Sequence, residues 1–402
     1  VRGSASLPIT VLLVVAPGLA VAQFRALAVA ITAAFLLSIL AHWRAHRRLP
    51  WPAARPALVL AAALLGWCVV SALWSPEGPR ALQSTASLAA LLVLGSMTAA
   101  AMMREAPAHL RRLGPALFIG LALGAALLAF DHASGNWFRL AVRGFPDMPH
   151  IGSGLKPAMS FFALMLPLAL AVRAVPLVAR LALALVGVGL AVWMPGDAAR
   201  YALLAGLGAA GVALLAPVLV SRVAAGALAG FILVAPLLIG AVTARAPDLS
   251  GLPFSAIHRV LIWDFVTERI AERPLLGWGM ESSRAIPDGV RLFAPETLIR
   301  FGLDSAEERR WFTMAASQRL PLHPHNASLQ IWLELGVVGA VLAAALAASL
   351  LLASGTGALA AGVVGVVASA SVTGLLSFAV WQPWWVAALM LGVVSIAALR
   401  RQ

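Results

Sequence analysis

The sequence predicts an all-α integral membrane protein of about twelve transmembrane helices, with one large helical segment outside the membrane between the ninth and tenth. Three observations predict it. Apolar residues make up 61% of the chain and charged residues 11%, against roughly 25% charged in a soluble domain. Apolar runs approaching the roughly 20 residues needed to cross a bilayer recur along the chain. The basic residues between those runs are divided unevenly, as loops on the two sides of a membrane are.

The runs come in order. Leu7–Ala22 and Ala26–Ala41 open the chain. No small-residue cleavage site follows the first, which is therefore expected to be a membrane helix and not a signal peptide. Ala57–Trp74, Leu82–Met103 and Pro115–Phe130 follow, then Ala158–Val172, Leu177–Met194, Tyr201–Val220 and Val223–Val242. Leu329–Ala353, Gly357–Val380 and Trp384–Leu399 close the chain. Barrel strands would be about ten residues long with alternating polarity. These runs are longer and continuous, so they are helices. Three regions result: 1–243 with nine spans and an outer loop at 131–157, the polar segment 244–325, and 326–402 with three spans.

The net charge of +13 does not point to nucleic acid, because the charges are not gathered on one soluble face. They mark sides. One set of loops holds Arg2, Arg44, Arg47, Arg48, Arg55, Arg104, Arg111, Arg112, Arg173, Arg180, Arg222, Arg400 and Arg401 against a single acid, Glu105. The other set holds 16 basic residues against 15 acids. Short Arg-rich loops face the cytoplasm. Both termini are then expected inside a bacterial inner membrane, with 244–325 on the periplasmic side. The one cysteine, Cys68, lies in an apolar run, which excludes an intrachain disulfide or a thiolate cluster.

Polar chemistry is confined to the outer side. The loop from Asp131 to Lys156 carries Arg139, Arg143, Asp147, His150 and the only lysine, Lys156. In the longer segment, Ser255 is expected to cap a helix that Pro274 stops. Asp304 with Glu307 suggests a capping box for a second helix to about Ser317. On the first helix His258, Glu268, Arg269 and Glu272 share a polar face, opposite Trp263, Val266 and Ile270. Arg259 falls in the middle of that apolar face, where a charge either snorkels at the membrane surface or reaches into a shared site.

The segment ends in His323-Pro324-His325-Asn326. Asn326 suits an N-cap. His325 then sits at the positive end of a helix dipole, which disfavours imidazolium, and a neutral His is what a general base must be. The same helix end favours an anion. Asn326, Gln330 and Glu334 form a stripe descending about 12 Å into the bilayer, and such residues face the bundle interior. Gly336 and Gly339 permit close helix approach. Two His at i, i+2 are also a zinc pattern, but no HExxH spacing links them to His132, His150 or His258. Arg200 closes a tight outer turn after Asp197, as an interfacial anchor or a ligand contact. No carboxylate pair of glycosidase type and no GxSxG elbow is present.

Three blocks, Arg259-Val260-Leu261-Ile262-Trp263, Pro274-Leu275-Leu276-Gly277-Trp278-Gly279 and His323 through Gly339, resemble the signature region of the O-antigen ligase and O-antigen polymerase superfamily. With Arg200 they cover the part of the chain that carries the resemblance. It implies a GT-C-like glycosyltransferase using undecaprenyl-diphosphate-linked O-antigen as donor and lipid A–core lipopolysaccharide as acceptor, with no metal, cofactor or nucleotide sugar. On that reading His325, or else His323, is the base. Arg200 and Arg259 hold the diphosphate, since a guanidinium binds phosphate oxygens in a bidentate way. Lys156, Asn326, Arg139, Arg143 and Arg291 are expected to contact substrate, and membrane lipid surrounds the whole. Relatives often carry Ser where this chain has Ala199, which loosens the match at Arg200. An O-antigen polymerase shares the donor and remains an alternative. A transporter or flippase is the alternative of another class, and would show internal inverted repeats.

Overall fold

The computed structural model describes residues 4–144, 154–314 and 317–402. Arg2, Asp147 and His150 lie outside them. The described residues are helix, turn and one isolated bridge between Leu292 and Gln318, as expected of an all-α integral membrane protein.

The helices are α1 (Ser6–Gln23), α2 (Ala26–His46), α3 (Pro56–Ser71), α4 (Gly78–Arg104), α5 (Pro107–Leu110), α6 (Leu113–Ala133), α7 (Trp137–Arg143), α8 (Lys156–Leu170) and α9 (Leu177–Trp193). They continue with α10 (Asp197–Leu215), α11 (Pro217–Thr243), α12 (Phe254–Glu272), α13 (Pro295–Arg300), α14 (Ala306–Phe312), α15 (Ala327–Leu352), α16 (Gly357–Leu376) and α17 (Pro383–Leu399). Eight helical stretches are long and apolar enough to cross a bilayer: α1, α2, α4, α5 with α6, α10, α11, α15 and α16. The shorter apolar helices α3, α8, α9 and α17 complete the expected runs.

One boundary moves. Pro217 lacks an N–H and ends α10 at Leu215, because proline cannot continue a helix. Arg222 therefore lies inside α11 and not in a loop.

The bundle centres on α8, which is buried from Pro157 to Ala169. A helix hydrophobic on every face belongs inside. Around it α1 packs on α6, α10 on α16, α11 on α15 and α4 on α17. Ser369 Oγ donates to the carbonyls of Ala163 and Ala202 at 3.0 and 2.9 Å, tying α16 to α8 and α10. At one end of the bundle Arg104 reaches Trp51 O, Gln402 reaches Leu110 O and Arg400 reaches Ala353 O. The outer segment and the residues proposed for chemistry gather at the opposite end.

The segment between α11 and α15 has its own core, made by Ile257, Leu261, Phe265 and Ile270 of α12 with Phe293, Leu298, Phe301 and Phe312. Ser255 does not cap α12; the N-cap position is Pro253, two residues earlier. The capping box is Ser305 with Glu308, one residue beyond the expected pair, and its helix stops at Phe312. His258 is not on a solvated face. Its ring packs edge-on against Phe293, Trp311 and Phe312, and Nε2 meets Gln318 O at 2.8 Å.

Candidate active site

The helix α15 begins where the sequence suggested. Asn326 Oδ1 accepts from Leu329 N at 3.1 Å, satisfying one of the N–H groups that a helix start leaves without a partner. Asn326 is buried, so its amide is used as a cap.

The two residues before the cap are pinned from three sides. Trp263 Nε1 of α12 donates to Pro324 O at 2.9 Å. His325 N donates to His323 Nδ1 at 3.2 Å. His325 Nδ1 donates to Ser377 O at 2.7 Å, in the turn between α16 and α17. His325 has φ +53°, a left-handed conformation rare outside glycine and held only where neighbours over-determine it.

These bonds assign the tautomers. A carbonyl only accepts, so His325 carries its proton on Nδ1 and presents a lone pair on Nε2. His323 accepts on Nδ1 and so carries its proton on Nε2. Both rings are neutral at pH 7. Burial pushes His325 down to about 4, with the charges of Arg259, His258 and Lys156 adding to it against the Ser377 bond. Burial pushes His323 to about 3, aided by His325, Arg284 and Arg259. Desolvation is thus the largest of the effects that keep the pair uncharged.

Those electrostatic partners define which residues come together. Arg259 acts on both imidazoles, Lys156 on His325 and Arg284 on His323. Among the described residues Arg259 makes no hydrogen bond or close ion pair; the carboxylate acting on it is Asp197. The Lys156 stem lies over the α9–α10 turn, where Cγ would be 2.8 Å from a Cβ at Gly196.

Arg200 belongs to that same turn. Its Nε and Nη2 donate to Ala191 O and Val192 O, at 2.9 and 3.3 Å, and Nη1 lies 3.5 Å from Asp197. Two of its nitrogens therefore finish α9. Arg139 is fully buried in an ion pair with Asp131, Nε to Oδ2 at 2.6 Å. Arg143 Nε donates to Ala22 O at 3.0 Å, while Nη2 is buried without a hydrogen bond among the described residues. Arg291 is exposed and paired with Asp288 at 3.0 Å. Arg139 and Arg291 are thus each engaged by a carboxylate close in sequence.

Beneath the histidines the polar stripe of α15 is buried. Glu334 accepts from Glu281 N at 2.7 Å, Ser283 Oγ at 2.5 Å, Gln330 Nε2 at 3.0 Å and Trp381 Nε1 at 2.7 Å. Gln330 Oε1 accepts from Val380 N at 3.1 Å. Two turns below, α15 is broken at Gly336, with φ +63° and ψ −162°. The break strips helical donors from the carbonyls before it. Trp278 N, Gly279 N and Trp67 Nε1 replace them at Leu333, Glu334 and Leu335, at 2.8, 2.8 and 2.9 Å. In return Pro274 O accepts from Val337 N at 2.9 Å. A Cβ on Gly277 would sit 2.6 Å from Glu334 C, and one on Gly336 2.7 Å from Gly277 N. Glycine at both positions lets the two backbones meet. Close approach at Gly336 was expected, but its partner is a loop and not a helix.

The three motif blocks are therefore one object: Trp263 holds the histidine loop, 274–279 fills the break, and α15 carries both. Residues 155–344 match the O-antigen ligase family. That is just under half of the chain. A protein of Rickettsia conorii provisionally named a polysaccharide ligase is 41% identical over 88 residues, 22% of this chain and 18% of its own length. A protein of Rickettsia prowazekii named in the same way is 33% identical over 135 residues, 33% of this chain and 29% of its own. A third, from Rickettsia bellii, is 33% identical over 138 residues. The matched stretches thus span less than a third of these relatives. The matched stretch runs from the residue before Lys156 to Ala344, about two thirds of the way along α15, so it contains Lys156, Arg200, Arg259, His323 and His325.

Ser377 and Trp381 went unnoticed in the sequence. Ser377 acts through a backbone carbonyl, which leaves no side-chain signature. The run Trp381-Gln382-Pro383-Trp384-Trp385 was the available sign of a structured turn.

Proposed function

We propose that the protein is a glycosyltransferase of the O-antigen ligase type, moving a glycan from undecaprenyl diphosphate to a sugar hydroxyl of lipid A–core at the periplasmic face of the inner membrane. The observation that carries this reading is the His325 imidazole, neutral, with Nδ1 donating to Ser377 O and no hydrogen bond at Nε2 among the described residues, in the electrostatic reach of Arg259 and Lys156. A neutral base beside cations suits an acceptor hydroxyl and a leaving diphosphate that gains negative charge as it departs.

Nε2 of His325 takes the acceptor proton as that oxygen bonds to the anomeric carbon. The bond from that carbon to the diphosphate breaks, and the diphosphate leaves with the electron pair. As an anion stable at neutral pH, it needs charge stabilisation and not a proton. Arg259 is the first candidate, since its guanidinium has no competing hydrogen bond among the described residues. Lys156 adds a second charge. Arg200 contributes through Nη1, exchanging Asp197 for a phosphate oxygen. One displacement inverts the anomeric centre. His323, whose Nδ1 is occupied, orients the loop. The excess of arginine in the loops at the opposite end of the bundle supports a cytoplasmic setting for that end and for both termini.

The test gives purified protein undecaprenyl-diphosphate glycan and rough lipopolysaccharide with EDTA present. Laddered lipopolysaccharide supports the ligase reading. Longer lipid-linked glycan alone supports the polymerase. His325→Ala should abolish product while the melting transition stays within a few degrees; near-normal transfer would remove His325 as the base.

A further inference from the structure

We propose that Glu334 is a positioning residue for His325: through Trp381 it anchors the turn whose Ser377 carbonyl fixes the tautomer and aim of the imidazole. This rests on the reading of His325 as the base.

The geometry behind it is a short chain of bonds. His325 is in a left-handed conformation, so its ring direction is set by what holds it. The holder at Nδ1 is Ser377 O. Ser377 follows the end of α16, with φ −138° and ψ −80°, so no helical hydrogen-bond ladder fixes its carbonyl. Within the turn one internal backbone bond is present, Gln382 N to Ala379 O at 3.3 Å. What fastens the turn to the site is α15: Val380 N on Gln330 Oε1, and Trp381 Nε1 on Glu334 Oε2. Gln330 is itself oriented by Glu334 Oε1. Both fastenings therefore converge on one carboxylate.

The same carboxylate secures the other flank. Glu281 N and Ser283 Oγ bind it. Arg284, the next residue, is held by Glu281 Oε2 at 2.9 Å and acts electrostatically on His323. A fully buried acid receiving donors from three separate segments is a costly feature to keep in a membrane protein. Apolar side chains would fill the space more cheaply, but they would leave Trp381 Nε1 and Gln330 unaimed.

The experiment uses the full chain in detergent. Trp381→Phe removes the indole donor and keeps an aromatic ring. Glu334→Gln keeps volume and replaces one acceptor oxygen by an amide donor. Trp332→Phe is the control, since its Nε1 binds Ile232 O on the far side of α15. Histidine 15N spectra, with the His325 signal assigned by its loss in His325→Ala, report the tautomer. In the unaltered protein His325 should show the Nδ1–H form. Trp381→Phe and Glu334→Gln should shift it toward a mixture rich in Nε2–H. They should also lower kcat by about ten- to a hundredfold, part of the roughly 10²–10⁴ that a positioned base supplies, with the donor KM within twofold. Trp332→Phe should change neither. If Glu334→Gln does not fold, Trp381→Phe carries the test. An unchanged His325 tautomer in Trp381→Phe would overturn the proposal, as would unchanged kcat with a shifted tautomer. Transfer by His325→Ala would sink the base reading separately, because the spectrum does not depend on turnover.

Discussion

The acid limb of the pH–rate profile tests the active-site reading most directly. Burial and neighbouring cations put His325 at about 4 in the free enzyme, against about 6.5 for an unperturbed imidazole. At pH 5.5 a group titrating at 4 is about 97% neutral, while one titrating at 6.5 is about 9% neutral. The two cases differ by about tenfold in kcat/KM at that pH, since kcat/KM follows the base in free enzyme. A diphosphate diester has no group titrating in this window, so the donor does not mask the limb. Transfer should therefore hold its rate from pH 8 down to about 5 and fall by a factor of ten per unit only below about 4. Initial rates with limiting lipid-linked donor at fixed ionic strength give the profile. Stability has to be followed alongside. The unfolded imidazole binds a proton below about 6.5 that the native one refuses until about 4, so stability is lost as pH falls through that interval, by up to about 3 kcal/mol for this residue. Rates should be taken well below the melting temperature at each pH. A half-loss near pH 6.5, with the protein still folded, would show that His325 is solvated and that its position as described is wrong.

Three further outcomes follow from the geometry. Arg259→Ala should cost at least tenfold in kcat/KM for the donor, and Arg259→Lys should recover little of it, because a point charge does not replace a planar fork; full activity in the lysine variant would reduce Arg259 to a bystander. Gly336→Ala forces a Cβ against Leu275 and Gly277 in a left-handed backbone. It should destabilise by about 2–4 kcal/mol or prevent folding, which a melt in detergent reads. Asn326→Ala removes the cap of α15 and should cost about 1 kcal/mol, with donor KM unchanged; a large KM effect would mean that Asn326 touches substrate.

What was legible in the sequence follows from what the bilayer demands. A membrane helix satisfies its own backbone, so a continuous apolar run declares itself without knowledge of its neighbours. Hence the runs from Leu7 to Leu399 fall on helices. Asn326 was legible because a cap acts within three residues. Arg259 stood out because a charge on an apolar helix face requires an explanation. The misses are of another kind. Asp304 and Ser305 are both good caps and only the phase of α14 chooses between them. His258 looked solvated because its aromatic neighbours lie 35 to 54 residues away. Arg139 looked available to substrate, although Asp131, which takes it, lies only eight residues earlier, in the last turn of α6. Ser377 was invisible because carbonyls carry no sequence signal.

The break at Gly336 links these two kinds of information. A helix interrupted inside a membrane protein exposes carbonyls, each costing several kcal/mol if left without a donor in hydrocarbon. Here two of the donors are the adjacent Trp278 and Gly279 and the third is Trp67, far upstream, so the break is tolerable only with the Pro274–Gly279 loop in place. The loop in turn needs glycine at 277 to reach the backbone of α15. Neither block is stable without the other, which explains physically why they appear together. Drawing 274–279 against α15 also brings Glu281 and Ser283 onto Glu334. The structural repair of a broken helix and the support of the candidate base thus share one carboxylate. A substitution at Gly277 should accordingly disturb His325 as well as the fold, although the two are not in contact.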